Sequence, residues 1–453
     1  MTSTQHLRPW MVVSLHCLAL ALALAVPSPG WATKLCEGSL AGAYRTSRGE
    51  LLAVNNIEKP RGYRWTHEDG RTGVLVEGPG EQLIHKQGWG ELSGPDVIDL
   101  MDCDGSALLL NGERATKLPL VIEEVAFDSG GVRLHGRLVR PSGRRTELPL
   151  VVDLQGSGRG SYLASNQRQF LLPAQGVAVF NYDKRGTGKS AGAYTQDFHV
   201  LASDAAAAMR VAKGKLPRHG HTGFVGSSQG GWVAPLAAQA EPVDFVVVNY
   251  GLAYSALRED REQVLGGLRR AGWNDQSTLH KAEEVIAAAA EVVTEQTGTS
   301  MLRMEKVRNR YESEPWWKDL GGEFTSFIAQ TPKQELQRIA PSMDVGTSWT
   351  YDPLDTLRRL ESRQLWLVPE EDIEAPPEET IRRIEGLIEE GRPVTLVTFP
   401  RADHGIKLFT QHGKERTATR YAPGSQRIIA DWIKGVRIEA QGDEDFEVFG
   451  PRH

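Results

Sequence analysis

From about residue 118 onward, short apolar runs without a polar face alternate with longer stretches of helical period. The runs are Leu150-Val151-Val152-Asp153-Leu154, Val177-Ala178-Val179-Phe180, Gly223-Phe224-Val225, Phe245-Val246-Val247-Val248, Leu365-Trp366-Leu367-Val368 and Val394-Thr395-Leu396-Val397. Strands that are apolar on both faces fit a sheet covered on both sides, which is the situation of parallel strands. Helical stretches at Asp204 to Lys213, Gly230 to Ala240 and Glu379 to Glu389 supply the cover. Ahead of them, Ile122 to Phe127 and Val132 to Val139 are predicted to pair as a hairpin through Asp128-Ser129-Gly130-Gly131. The pattern predicts an α/β fold with a mostly parallel, doubly wound sheet, whose ligands sit at the carboxyl ends of the strands.

Two regions break the alternation. Residues 33–117 carry short β-type stretches (Gly42-Ala43-Tyr44, Tyr63-Arg64-Trp65, Gly73-Val74-Leu75-Val76, Gln82-Leu83-Ile84) between glycine turns, with no sustained helical period. They predict a small β-rich N-terminal domain with a structural or lid-supporting role. Residues 251–350 form a helical insertion, in which Leu257, Val264 and Leu268 share a face and Ala282 to Val293 is rich in helix formers. The insertion divides the α/β core into 118–250 and 351–436 and is expected to act as a lid. Trp316 and Trp317, with Trp232, are candidates for a substrate pocket or plain core aromatics. Residues 437–453 form a C-terminal tail in this reading.

The first 32 residues stand apart. His6 and Arg8 precede an apolar run from Trp10 to Val26, followed by Pro27-Ser28-Pro29-Gly30 and small residues up to Ala32. That order predicts a signal peptide cleaved after Ala32, hence a periplasmic or secreted protein, with a retained membrane anchor as the alternative. Two cysteines then remain, Cys36 and Cys103, which an oxidising compartment would let pair; two free buried thiols are the alternative. With 453 residues the chain is expected to fold as two or three units. A net charge of −6 without a basic stripe argues against a nucleic-acid partner. The partner expected is a small-molecule substrate.

The strongest chemical motif is Gly226-Ser227-Ser228-Gln229-Gly230, between a predicted strand and a predicted helix. A serine hydroxyl becomes a useful nucleophile when a tight turn exposes it beside a base, and the flanking glycines let the backbone make that turn. Ser227, one place off the turn, is the rival. On such sheets an acid and a histidine follow on later strands, in that order. His404 lies in Phe399-Pro400-Arg401-Ala402-Asp403-His404-Gly405, just after the last predicted strand; His280 falls in the insertion, His412 on a predicted helix and His453 at the terminus. The acid belongs to Glu370-Glu371-Asp372-Ile373-Glu374, and position alone does not choose among these carboxylates. Gln155-Gly156-Ser157-Gly158 follows a strand end, so the backbone N–H groups of Ser157 and Gln229 are candidates for an oxyanion hole. Gly186-Thr187-Gly188-Lys189-Ser190 lacks the first glycine of a phosphate loop, and no zinc-type histidine cluster occurs, so neither cofactor nor metal is expected.

Taken together, Tyr182-Asp183-Lys184-Arg185-Gly186-Thr187-Gly188-Lys189-Ser190, the serine turn, Tyr351-Asp352-Pro353-Leu354, the acidic loop and Phe399 to Gly405 resemble the α/β-hydrolase superfamily. The branch resembled is that of dienelactone-hydrolase-like and serine-aminopeptidase-like enzymes, over roughly residues 119–436 without most of the insertion. One departure is Gln155, where related sequences often carry histidine. The resemblance implies Ser228 as nucleophile, His404 as general base and Asp372 as the acid, since Asp372 stands four residues before Pro376 and the next helix. Asp183 and Arg185 are expected to support their loop. The implied activity is hydrolysis of small esters or thioesters, with a small-peptide peptidase, or an inactive binding protein on the same scaffold, as alternatives.

Overall fold

The computed structural model describes residues 40–57, 61–78, 83–90, 92–100, 104–143, 147–439 and 446–451. The signal segment, Cys36, Cys103 and His453 lie outside the described residues.

The N-terminal region is an eight-stranded antiparallel sheet. Its strands are β1 (Gly42–Thr46), β2 (Leu51–Ile57), β3 (Gly62–His67), β4 (Thr72–Glu77), β5 (Leu83–Gln87), β6 (Ile98–Leu100), β7 (Ala107–Leu110) and β8 (Glu113–Lys117), in the spatial order β5-β4-β3-β2-β1-β8-β7-β6. Tyr44, Leu52, Val54, Trp65, Leu75 and Leu108 bury one face into a core of its own. The other face presents Ala43, Leu51 and Ala53 to Phe170 and Leu171 of the second region.

That second region opens with the hairpin β9 (Leu120–Ser129) and β10 (Val132–Pro141). It turns at Gly130 and Gly131, whose φ values of 57° and 78° suit a type I′ turn. There follow β11 (Leu148–Leu154), α1 (Tyr162–Ser165), α2 (Arg168–Ala174), β12 (Ala178–Tyr182), α3 (Phe198–Lys215), β13 (His219–Ser227), α4 (Gly230–Ala240) and β14 (Phe245–Asn249). Five helices make the insertion: α5 (Ala256–Arg270), α6 (Gln276–Glu295), α7 (Gly298–Tyr311), α8 (Thr325–Gln330) and α9 (Lys333–Met343). The core resumes with α10 (Leu354–Arg359), β15 (Arg363–Pro369), α11 (Glu378–Glu389) and β16 (Val394–Phe399). It ends with the small antiparallel set β17 (Ala402–Asp403), β18 (Lys407–His412) and β19 (Glu415–Tyr421), then α12 (Ser425–Ile433) and β20 (Glu447–Phe449).

The central sheet has nine strands in the order β20-β16-β15-β14-β13-β11-β12-β10-β9. Pairing is parallel from β12 through β16 and antiparallel at both edges. Strand alternation sends Val152, Phe224, Val246 and Trp366 to the face covered by α3, α4 and α11. It sends Val151, Val225, Val247 and Leu365 to the face covered by α12, through Ile428, Ile429 and Trp432. This double cover explains the runs without a polar face.

The structure corrects several expectations. Parallel pairing is confined to the middle of one sheet, and over the described residues antiparallel ladders predominate. The C-terminal segment is not simply a tail: β20 sets Phe449 opposite Leu396 and caps the sheet edge. Three residues carry no readable period, so this strand leaves no sequence signal. His412 ends strand β18 rather than lying on a helix, because Gly413 turns the chain back into β19. The three tryptophans are core. Trp316 is 1% exposed within the insertion's own cluster, Trp317 packs against it, and Trp232 stacks on Phe198 at 4.8 Å.

One buried carboxylate organises the insertion. Asp260 of α5, fully buried, accepts the backbone N–H groups of Phe324 and Thr325 at 2.8 and 2.9 Å, as well as the Thr325 hydroxyl. Replacement by alanine leaves three buried donors unpaired. Asp260→Ala is expected to destabilise the insertion by about 2–4 kcal/mol, read as a lower thermal midpoint; an unchanged midpoint would remove Asp260 from this role.

Candidate active site

The site grows from the junction of β13 and α4. Gly226 lets these elements meet: a Cβ there would lie 2.0 Å from the Gly230 carbonyl oxygen. On Gly230 it would lie 2.9 Å from the Leu154 carbonyl oxygen. Between them Ser228 takes φ of 51°, a left-handed conformation that a non-glycine residue adopts at a cost of order 1–3 kcal/mol. Its N–H donates to Asn249 O at 3.0 Å and its carbonyl accepts the Gly231 N–H at 2.7 Å. The turn thereby presents the Ser228 side chain to a cavity.

Ser227 belongs to different machinery. It is 3% exposed, and its hydroxyl accepts Arg168 Nη2 at 2.8 Å. Arg168 also donates to Asp153 through Nε at 3.0 Å and Nη2 at 2.8 Å, and to the Tyr162 hydroxyl at 2.7 Å. A buried ion pair that also holds the hydroxyls of Ser227 and Tyr162 acts here as a rigid floor beneath the turn.

On the far side, the loops after β15 and β16 bring a carboxylate to an imidazole. Asp372 Oδ2 accepts His404 Nδ1 at 2.8 Å, while Oδ1 accepts the N–H groups of Glu374 and Ala375 at 2.9 and 2.7 Å. Asp372 is thus buried and fixed, whereas Glu374 is 61% exposed, its Oε1 standing 3.5 Å from His404 Nε2. Asp403 Oδ1 accepts the His404 N–H at 2.8 Å, and the Tyr250 ring meets the imidazole edge-on at 4.9 Å. Burial pushes the imidazole pKa down, but the hydrogen bond and charge of Asp372, with Glu374, outweigh it, so His404 sits above its ordinary value.

Ser228 and His404 line one cavity of about 340 Å³, together with Gln155, Gly156, Ser157 and Tyr250. The Gly156 backbone passes directly over the serine: a Cβ there would lie 3.2 Å from Ser228 Cβ. Among the described residues no hydrogen bond engages the N–H of Ser157 or Gln229. Lys184 connects these two segments, donating to Gly156 O at 2.6 Å and to Gln229 Oε1 at 3.3 Å. In a trans peptide the C=O and the next N–H point in opposite directions, so this grip turns the Ser157 N–H away from Lys184. Asp183 and Arg185 shape the same loop, Asp183 accepting from Ser161, Leu163 and Lys189, and Arg185 pairing with Asp204.

The rest of the cavity wall comes from positions that sequence reasoning missed. No residue of 251–350 lines it; the wall includes Trp89 after β5 and Lys407 and Tyr421 of the β18–β19 hairpin. Trp89 is placed by close backbone approach: a Cβ on the preceding Gly88 would lie 2.8 Å from Ala418 O. The insertion instead braces the acid loop, where the Gln263 side chain donates to Glu374 O.

Comparison with known proteins matches residues 130–351 to X-Pro dipeptidyl-peptidase (S15 family), just under half of the chain. The match includes Ser228 and ends before Asp372 and His404. No curated protein matches. Among solved structures, an esterase of Pyrococcus furiosus is 16% identical, covers 63% of this chain and 84% of its own, and gives a TM-score of 0.41. The acylaminoacyl peptidase of Pyrococcus horikoshii is 13% identical, with 81% and 52% covered and a TM-score of 0.41. Est1E of Butyrivibrio proteoclasticus, with ferulic acid bound, is 16% identical, with 69% and 96% covered and a TM-score of 0.38. Likenesses this distant carry no functional weight; the sheet, the serine turn and the histidine–carboxylate pair do. They define an α/β-hydrolase-type enzyme. More particularly, it is a hydrolase acting on ester or peptide bonds.

Because a side chain at position 226 has nowhere to go, Gly226→Ala is expected to cost about 1–3 kcal/mol through overpacking and to misplace Ser228. Thermal unfolding and serine reactivity toward a fluorophosphonate should both fall; wild-type behaviour in both would refute the steric account.

Proposed function

We propose that the chain hydrolyses carboxylic ester or thioester bonds of small substrates through an acyl-enzyme on Ser228. The supporting observation is the buried Asp372 holding Nδ1 of His404 at the edge of the cavity into which the strained turn presents Ser228. In this reading His404 turns Nε2 from Glu374 to Ser228 and accepts the hydroxyl proton as Oγ attacks the substrate carbonyl. The carbonyl oxygen gains charge against the N–H groups of Ser157 and Gln229. His404 then protonates the leaving group, and water, activated by the same imidazole, cleaves the acyl-enzyme. Asp372 keeps the proton on Nδ1 throughout. The dipeptidyl-peptidase match supports a second reading, in which the scissile bond is that of a small peptide. A panel of acyl esters against aminoacyl amides separates the two.

Ser228→Ala or His404→Ala is expected to lower turnover by roughly four to six powers of ten, and Asp372→Asn by roughly 10⁴. Glu370→Gln, Glu371→Gln and Glu374→Gln should each have far smaller effects. Fluorophosphonate labelling of Ser228→Ala at the wild-type rate would overturn the assignment of the nucleophile.

The pH profile supplies a second test. His404 must be neutral to accept a proton and its pKa is raised, so kcat/KM should fall as pH drops through a value above the ordinary 6.5. Glu374→Gln, which removes one cause of the rise, should move that limb to lower pH. Lys184 is brought down to about 8 by burial and by the charge of Arg159. It is therefore charged below that pH and neutral above, and kcat should decline as pH rises through about 8. Lys184→Met should lose that alkaline limb and lower kcat roughly ten- to hundred-fold at every pH, with a smaller effect on KM. An alkaline limb that persists in Lys184→Met would exclude Lys184 as its source.

A further inference from the structure

The cavity that holds Ser228 and His404 contains a cation with no ion-pair partner among the described residues. Lys407 opens strand β18, three residues after His404, and its side chain folds back over the loop: a Cβ on Gly405 would lie 2.7 Å from Lys407 Cε. Its Nζ sits 4.9 Å from the centre of the Trp89 ring, and Trp89 meets Tyr421 edge-on at 5.0 Å. All three residues line the cavity that holds Ser228 and His404. No carboxylate among the described residues comes within ion-pair distance of this ammonium. Asp372 is committed to His404 and Asp403 to Arg416 at 3.0 Å. Glu374 faces the cavity from the acid loop, paired with His404 Nε2. From the N-terminal sheet Arg64, above the same Trp89 ring at 5.9 Å, adds a further cation. The other cation in the wall, Arg168, is neutralised by Asp153. Burial lowers the Lys407 pKa, helped by the charge of Arg64, and the carboxylates of Glu374, Asp403 and Asp372, none within ion-pair distance, offset it only in part.

We propose that Lys407, seated against Trp89, is a subsite for a carboxylate carried by the substrate. This rests on the hydrolase reading and narrows it to anionic esters, thioesters or peptides. The geometry explains three features at once. Gly405 leaves room for the lysine stem beside the histidine. Trp89 gives the ammonium a cation–π seat that positions it without neutralising it, so it can attract an anion. The N-terminal sheet, which supplies Trp89, becomes part of substrate recognition. A charge placed here would bind the part of the substrate away from the reacting carbonyl and help fix that carbonyl near Ser228.

The test uses the full chain and matched esters. One pair is 4-nitrophenyl hydrogen succinate and its methyl ester, with the carboxylate in the acyl group. A second pair is O-acetyl-3-hydroxybenzoate and its methyl ester, with the carboxylate in the leaving group. A trimethylammonium acyl ester supplies the opposite charge. For at least one pair the wild-type kcat/KM should favour the anion by roughly ten-fold or more, and the preference should shrink with added salt. The ratio within the pair should fall to about one in Lys407→Met and favour the cationic ester in Lys407→Glu. Calorimetric titration with glutarate, which needs no turnover, should show saturable binding that Lys407→Met abolishes. If Ser228 takes the fluorophosphonate but no carboxylate-bearing ester is preferred, or the preference survives Lys407→Met, the subsite is wrong while the hydrolase reading stands. A wild-type preference for the cationic ester overturns it too and gives the cavity's charge to Glu374. If Ser228 takes no probe and no ester or amide is cleaved, the hydrolase reading falls, and equal glutarate binding by wild type and Lys407→Met would then dismiss the subsite independently.

Discussion

Everything at the site depends on one steric fact: β13 meets the first turn of α4 too closely for a side chain at Gly226, and that turn meets the end of β11 too closely for one at Gly230. That approach forces Ser228 into a left-handed conformation and lifts it out of the sheet plane. The cost of such a conformation persists only where the surroundings over-determine it. Here they do. The Ser228 N–H donates to the Asn249 carbonyl and the Ser228 carbonyl accepts the Gly231 N–H, which holds both ends of this residue, and Gly231 packs on Gly251 from the next loop. Beneath, the Asp153–Arg168 pair fixes Ser227, so the turn can move neither down nor sideways.

Two cations with opposite tasks flank this turn. Lys184 is enclosed by carbonyl and amide oxygens and works on the protein itself, tying the Gly156 loop to the residue after the serine. Lys407 is enclosed by an aromatic ring and a glycine, neither of which accepts a hydrogen bond from it. The first lysine is satisfied by the fold; the second is left to be satisfied by something else. That contrast, more than charge as such, distinguishes a structural cation from a recognition element.

How much could be read from the chain follows from what each feature depends on. The strands of the central sheet announce themselves because both faces are buried: Val151 and Val152 face different helices, so no polar position interrupts the run. The serine turn and His404 stand at strand ends, a relation preserved in linear order. Asp372 could not be separated from its glutamate neighbours by position; burial and two backbone N–H donors distinguish it in space. The β18–β19 hairpin escaped notice because its residues are half-exposed on both sides and give neither a helical nor a strand period. Trp89 and Lys407 lie more than 300 positions apart, and only tertiary packing brings them together. Of the two roles left open for Trp232, Trp316 and Trp317, the core role holds for a related reason: aromatic content marks apolar interior more often than a cavity wall.

The join between the N-terminal sheet and the β18–β19 hairpin bears on how the molecule is made. Gly70 and Tyr421 share a backbone hydrogen bond of 2.8 Å, and a Cβ on Gly70 would lie 2.3 Å from Tyr421 O. The eight N-terminal strands are contiguous and can pair with one another early in synthesis, whereas their docking surface is among the last segments to emerge. A nascent chain that has reached Gly251 already carries every residue that frames the serine turn, yet it lacks Asp372, His404 and the β18–β19 part of the cavity wall. The cavity shared by Ser228 and His404 is thereby closed only when the last strands have been made.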